Sequence, residues 1–333
     1  MTTVRDIGEF GLIDRIARRI ADAHLRPPAY EEFKLRIGIG DDAAAWQLTG
    51  GIEVCTTDTM VEGTHFRSDT LSWGDVGWKL AAANISDIGA MGGIPLCAVV
   101  TMGLPATLPT ASVDDLYDGM LAAMNAYRAL LVGGDIVNSP VAFVSMTLTG
   151  VCVGEPMIRT AARPGHVIGV TGPLGASGGG LWLLLQGEAT ETPSAQALLA
   201  AHRRPAPTLE DGRRLSYGGV RCAMDISDGL VADLGKLTKA SRIGAVIRAD
   251  RVPVAPALSE ALPEEAARLA LTGGEDYEVV FTAPREIAAR LLPELPRATL
   301  IGEVTAEEPG TVRVLDARGQ PVPLSSHGWE HLR

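Results

Sequence analysis

Cysteine is scarce and badly spaced for chemistry: Cys55, Cys97, Cys152 and Cys222 are spread over 333 residues with no C-x-x-C pair. Neither a disulfide framework nor a cysteine zinc site is expected, and the apolar neighbours of most of them read as those of reduced core thiols. Basic residues are also in deficit. The 29 Lys and Arg against 40 Asp and Glu leave a formal net charge of −11, which argues against a general nucleic-acid binder, since that activity needs a basic face. It leaves room for an anionic substrate if cations sit between protein and ligand. No uninterrupted apolar run reaches the roughly 18 residues of a bilayer span. The start, "MTTVRDIGEFGLIDRI", lacks the charged-then-apolar build of a signal peptide. A cytoplasmic protein with no membrane partner is expected. Neither G-x-G-x-x-G nor G-x-x-x-x-G-K-[ST] occurs, so the Rossmann and Walker A readings fail on their own terms. No Ser/His/Asp or Cys/His nucleophile arrangement stands out either.

What the chain has is glycine and acid. Its 38 glycines point to tight turns or close backbone approaches. The apolar share of 46% and charged share of 21% are those of an ordinary globular protein, and the length makes two domains the default. Strands and helices alternate, and the pattern restarts after Gly154. The expectation is an α/β (α+β) protein of two domains, 1–153 and 154–333.

Phe10, Ile13, Ile16, Ala17 and Ile20 recur at helical spacing and predict an opening amphipathic helix. Strands are expected at Ile52–Thr57, at "LCAVVTM" (96–102) and at "VAFVSMTLTGVCV" (141–153). A helix is expected over Trp78–Met91. "SVDD", Ser112–Asp115, matches a capping box opening a helix to about Leu131. In the second half "HVIGV" (166–170) is a strand, and "TGPLGASGGG" reads as a glycine loop before the helix "LWLLLQ". "CAMDISDGLVADLGKLTKAS" reads as strand, turn and helix. "GAVIRA", "DYEVVFTA", "ATLIGEV" and "TVRVLDA" are further strands, with "PEEAARLAL" and "PREIAARLL" as helices.

Aspartates recur in one kind of place. Asp42 follows the strand-like "RIGIG", Asp58 follows "IEVCTT", and Asp135 follows two glycines in "LVGGDIVNSP". Asp225 and Asp228 lie where a strand turns into a helix, and Asp87 lies near a helix end. Carboxylates beside small residues at element ends suit Mg²⁺, which takes hard oxygen ligands and substrate phosphates. Read singly, each has a plain structural role. Asp228 can cap a helix starting at Gly229, and Asp58 and Asp135 can form turns. The glycine loop is equally a phosphate cradle or a site of close helix–strand packing. "LTGGEDYEVVF" (271–281) offers Glu275, Asp276 and Glu278 before a strand. His327 and His331 stand four apart in the terminal "HGWEHLR" without a third ligand and read as a solvated tail, with Trp329 between them as a stacking surface.

Taken together, "GEFGLIDRI", "GIGDDAAAW", "TTDTMVEGTHF", "WKLAAANISDIGAMGG", "LVGGD", "VTGPLGASGGGL", "MDISDGLVADL", "LTGGEDYEVVF" and "HGWEHL" resemble the thiamine-monophosphate kinase family over nearly the whole chain. The wider superfamily includes aminoimidazole-ribonucleotide synthetase, selenophosphate synthetase and the hydrogenase-maturation dehydratase. The resemblance implies a two-domain aminoimidazole-ribonucleotide synthetase-like fold, with the N-terminal sheets paired in a homodimer. It implies ATP-dependent phosphorylation of thiamine monophosphate to thiamine diphosphate. Asp42, Thr56, Thr57, Asp58, Asp87, Asp135, Asp225 and Asp228 would hold several Mg²⁺ ions. Tyr117, Gly134, Asp135, Arg159 and Ser227 would contact ATP, and His65, Glu275 and Trp329 the thiamine phosphate. No residue is expected to act as a general base.

Three places depart from that pattern. Glycines stand at 178–180 where alanines are common, suggesting a looser loop. Ile136 and Asn138 replace small hydroxyl and basic residues, and His166 replaces an aspartate. Among rival superfamily members, selenophosphate synthetase would need a reactive cysteine near the N-terminus and the hydrogenase-maturation enzyme a C-terminal cysteine. Aminoimidazole-ribonucleotide synthetase would not be expected to combine "VEGTHF" with "GGEDYE". A non-catalytic Mg²⁺–nucleotide binder and a metal-dependent phosphohydrolase are the alternatives of a different class.

Overall fold

Alternating burial along strands and three-to-four spacing along helices sort the described residues into two main sheets with helices packed on them, and a small two-stranded ribbon. A computed structural model describes residues 2–39, 43–187 and 191–323. Asp42, His327, Trp329 and His331 therefore lie outside the described residues. The chain divides into two compact units, residues 1–88 with 94–153, and residues 154–333 with the short segment 89–93.

The first unit runs α1 (Val4–Asp22), β1 (Lys34–Ile37), β2 (Ala45–Gln47), β3 (Ile52–Val61), α2 (Trp73–Ala90), β4 (Ile94–Leu104), α3 (Thr110–Tyr127), β5 (Leu130–Asn138) and β6 (Phe143–Cys152). The last two residues of α2 group with the second unit. Strands β1 and β2 form a small ribbon, and the main sheet has the order β3-β6-β4-β5. Only the β4–β5 pair is parallel. Along β6, Val144, Met146 and Leu148 are buried while Ser145, Thr147 and Thr149 are half-buried. The period of two thus gives one apolar face and one face carrying hydroxyls.

The second unit runs β7 (Val167–Val170), α4 (Ala176–Gln186), α5 (Pro193–Arg203), α6 (Leu209–Tyr217), β8 (Cys222–Asp225), α7 (Leu230–Ser241), β9 (Gly244–Arg248), α8 (Pro256–Ala261), α9 (Ala266–Thr272), β10 (Val279–Ala283), α10 (Arg285–Leu291), β11 (Thr299–Thr305) and β12 (Val312–Leu315). Its sheet has the order β12-β9-β11-β7-β10-β8. Ile168, Val170, Met224 and Val280 pack on one face with Leu230, Leu234 and Leu237 of α7. Val167, Ala223, Val279 and Phe281 pack on the other with Leu215 of α6 and Leu291 of α10. A third core joins Leu183, Leu198, Leu258 and Leu269 of α4, α5, α8 and α9.

Several local expectations need correction. Helix α3 starts at Thr110, so Ser112 is inside the first turn rather than its cap. Extended Pro109 stops the preceding chain, and Asp114 is used instead in an ion pair with Arg15 of α1. The helix ends at Tyr127 because Arg128 adopts a left-handed conformation (φ 58°), and Leu130 already opens β5. The "glycine loop" is largely helix: Gly178, Gly179 and Gly180 lie inside α4. A Cβ on Gly180 would stand 2.2 Å from the Leu198 carbonyl oxygen of α5. Gly179 and Gly180 therefore tighten the packing of α4 on α5, and Gly178 its approach to Gly273 after α9, the opposite of a loosened loop. All four cysteines are free thiols, three buried, but Cys55 is exposed on β3. No helix among the described residues is long and apolar enough to cross a membrane.

Candidate functional site

The candidate aspartates Asp58, Asp87 and Asp135 of the first unit sit on its sheet and on α2. Asp58 and Asp135 are within strands rather than after them, because pairing continues past each carboxylate: Asp58 pairs with Met146 and the ladder runs on to Val61. An outer strand tolerates polar side chains, so a falling run of apolar residues does not end it. Thr56 and Asp58 are the cross-strand partners of buried Leu148 and Met146, which places them on the helix-covered face. The Thr56 hydroxyl donates to the Asp87 carboxylate of α2, tying strand to helix at this point. Thr57 lies on the opposite face, donating to the Met146 carbonyl at 3.0 Å and accepting from Thr147 at 3.2 Å.

Asp135 is exposed on β5. Across the sheet the rows read Asp58, Met146, Val100, Gly134 and, one step along, Thr59, Ser145, Thr101, Asp135. Asp58 and Asp135 are thus nearly level but three strand spacings apart, about 14 Å. Gly134 has a packing reason to be glycine, since a Cβ there would meet the Val100 carbonyl oxygen at 2.1 Å. Tyr117 is buried on α3, and burial raises its phenol pKa. His65, in the turn after β3, accepts the Val61 N–H at Nδ1, 3.2 Å; in the neutral ring the proton is then on Nε2.

In the second unit, Asp225 ends β8 and is buried. The turn that follows carries Ser227 and Asp228. Helix α7 begins at Leu230 with Gly229 (φ 110°) as N-cap, so Asp228 does not cap it. Asp233, in the first turn of α7, does the equivalent work from inside: its carboxylate accepts the N–H groups of Ser227 and Asp228, each at 2.9 Å. Burial raises the pKa of Asp233, while Lys236 at 2.7 Å favours the charged form. Lys236 also pairs with Asp228. An acid in the first helical turn after "DG" was the available signal for Asp233, and it was missed.

The "GGEDYE" segment is bent back onto this turn. Glu275 and Tyr277 have positive φ, 63° and 51°. Their N–H groups donate to the carbonyls of Ser227 (2.8 Å) and Ile226 (3.0 Å). Asp276 accepts the N–H groups of Gly175 (2.6 Å) and Ser177 (3.1 Å) at the start of α4. That helix N-terminus is therefore served by a carboxylate of the chain itself, which replaces the phosphate-cradle reading of the glycine stretch. Burial lifts Asp276 to a pKa of about 7, against the pull of those N–H groups. Glu278 is buried, raised by burial, and held by Thr171 at 2.6 Å and by Arg297. Arg159 is exposed, and its carbonyl accepts the Ser241 hydroxyl at 2.7 Å.

Among the described residues, no group of three or more His, Cys, Asp or Glu side chains is placed to hold a metal ion. The donors offered are all oxygens, of carboxylates and hydroxyls, and Thr56 and Asp87 already meet. That chemistry fits a hard cation such as Mg²⁺ and does not suit a soft one.

Residues 40–155 match the family model for the AIR synthase related protein N-terminal domain, and residues 163–315 that for the C-terminal domain. The chain is 36% identical over 335 residues to the thiamine-monophosphate kinase of Escherichia coli K12, covering 98% of each protein. A crystal structure of thiamine-monophosphate kinase from Stenotrophomonas maltophilia aligns with a TM-score of 0.78 at 34% identity, over 95% of this chain and 98% of that one. A solved complex of AaThiL with AMPPCP and TMP aligns with a TM-score of 0.77 at 33% identity, over 100% and 99%.

Proposed function

This chain belongs to the thiamine-monophosphate kinase family, and we infer that it transfers the terminal phosphoryl group of ATP to thiamine monophosphate, giving thiamine diphosphate and ADP. The observation that carries this reading is the end-to-end match to a complex holding AMPPCP and TMP. The chemistry agrees. A phosphate monoester is largely dianionic at pH 7, its second pKa being about 6, so the attacking oxygen needs no general base. The barrier is the repulsion of two anions that must meet in line, and positioning and electrostatics dominate such transfers.

Asp58, Asp87, Asp135, Asp225 and Asp228, with the hydroxyls of Thr56 and Thr57, are the residues that would hold Mg²⁺; Asp42 belongs to the same set by motif. Bound Mg²⁺ would supply charge neutralisation between the ATP phosphates and the phosphate monoester. Ser227 and Arg159 are assigned to ATP, with Arg159 offering a permanently charged fork for phosphate oxygens. Gly134 and Tyr117 are assigned to ATP by motif alone, Gly134 as an exposed stretch of backbone. Glu275, His65 and Trp329 are assigned to thiamine monophosphate, where an indole face suits a cationic ring.

The working form is a cytoplasmic homodimer. The ten-residue strand β3 is an outer strand of its sheet, an edge that a second copy can cover. Its position relative to Asp135 supports the same reading, since one chain alone leaves Asp58 and Asp135 too far apart to share an ion.

The test is an incubation with thiamine monophosphate, ATP and Mg²⁺, with products separated. Thiamine diphosphate and ADP should form in equal amounts, cease with EDTA and resume on adding Mg²⁺. Inorganic phosphate without thiamine diphosphate would instead indicate a phosphohydrolase. Nucleotide binding without turnover would indicate a non-catalytic binder.

A further inference from the structure

Glu275 sits on backbone that a non-glycine residue rarely adopts, φ 63°, a conformation that costs free energy and persists only where surroundings over-determine it. Its main chain is fixed by the N–H bond to Ser227, and the next residue is locked to the start of α4 through Asp276. The side chain has a further neighbour that no motif predicted. His202, on α5, is 4% exposed. Its Nδ1 lies 3.2 Å from the Ser177 hydroxyl oxygen of α4 and 3.4 Å from Oε2 of Glu275.

We propose that His202 is a positioning residue for Glu275: the buried imidazole, held by Ser177, aims the Glu275 carboxylate at the thiamine monophosphate. A carboxylate only accepts, so the contact is favourable when Nδ1 carries a proton. A proton on Nδ1 then lies between the serine oxygen and the carboxylate and is shared by both. Ser177 is itself fixed, because its N–H is bonded to Asp276 and its side chain is buried. Helices α4 and α5 thus act as a rigid bracket, brought close by Gly179 and Gly180 of α4, and the bracket ends on Glu275. The long glutamate side chain would otherwise sample several rotamers, and ordering it in advance removes that cost from substrate binding.

The proposal rests on the assignment of Glu275 to thiamine monophosphate, and a double-mutant cycle separates the two. His202→Leu should raise the KM for thiamine monophosphate about tenfold, the scale of one lost hydrogen bond to a charged group, and leave the KM for ATP within about twofold. His202→Asn, whose amide NH₂ can stand where Nδ1–H does, should recover most of the loss. In a Glu275→Ala background, His202→Leu should add nothing further. Calorimetric binding of thiamine monophosphate alone should follow the same pattern, and melting curves report folding. Should His202→Leu fail to fold, Ser177→Ala and His202→Asn, each alone and with Glu275→Ala, complete the cycle. An unchanged KM in the position-202 and position-177 variants, or an equal effect with and without Glu275, overturns the positioning role. If Glu275→Ala itself leaves thiamine monophosphate binding unchanged, the assignment of Glu275 fails.

Discussion

Asp58 and Asp135 stand on the two outer strands of one four-stranded sheet, with β6 and β4 between them. A direct oxygen ligand lies about 2.1 Å from Mg²⁺, so a single ion cannot touch both carboxylates of one chain. If both serve one site, the second carboxylate comes from a partner subunit. Asp58→Asn and Asp135→Asn homodimers should each be inactive. A hybrid dimer purified with two tags should regain about half the normal turnover, because one of its two sites would be intact. An inactive hybrid would place both residues in a single-chain site.

Asp233 should matter as much as the aspartates it supports. Asp233→Ala leaves two backbone N–H groups without their acceptor and leaves Lys236 without its buried partner. We expect a loss of about 3 kcal/mol in urea unfolding and a raised KM for ATP, since Ser227 and Asp228 ride on the same turn. Unchanged stability and KM would show that the turn holds itself.

Gly180→Ala tests the reading of α4 as packed helix. The new methyl meets a backbone oxygen at 2.2 Å, so α4 and α5 must separate. The expected cost is about 2–3 kcal/mol, read as a lowered denaturant midpoint. A stabilised variant, as alanine would give in an open helix, would count against this packing.

Asp276 predicts a pH dependence of stability. Its pKa of about 7 in the folded state lies above the unfolded value near 3.9, so folding favours the protonated form. That contribution is present in full below about pH 4 and is lost as pH rises through 7. The stability of the wild type relative to Asp276→Asn should therefore fall between pH 5 and pH 8. A constant difference across that window would mean that the group titrates normally.

The legible part of this protein lay in periodicity and in short phrases. Alternation along "VAFVSMTLTGVCV" was enough to place β6, and the apolar spacing of the first twenty residues was enough to place α1. The strand ends were harder. Asp58 and Asp135 looked like residues beyond a strand, because the sequence does not say which strands are outermost and so tolerate a carboxylate. Gly178–Gly180 looked like a loop, because the demand for space came from α5 at Gly179 and Gly180 and from Gly273 at Gly178, all distant in sequence. Ser177 and His202 carried no signal, being ordinary helix residues until the two helices are laid side by side.

Sequence alone determined which oxygens are available and which family the chain resembles, since both depend on residue identity and local order. Tertiary structure decided which of those oxygens can meet. That depends on strand order, on the face each residue takes, and on distant groups, such as His202 beside Glu275 and Asp276 on the start of α4. Contacts of that kind are made between segments far apart along the chain, and no local pattern encodes them.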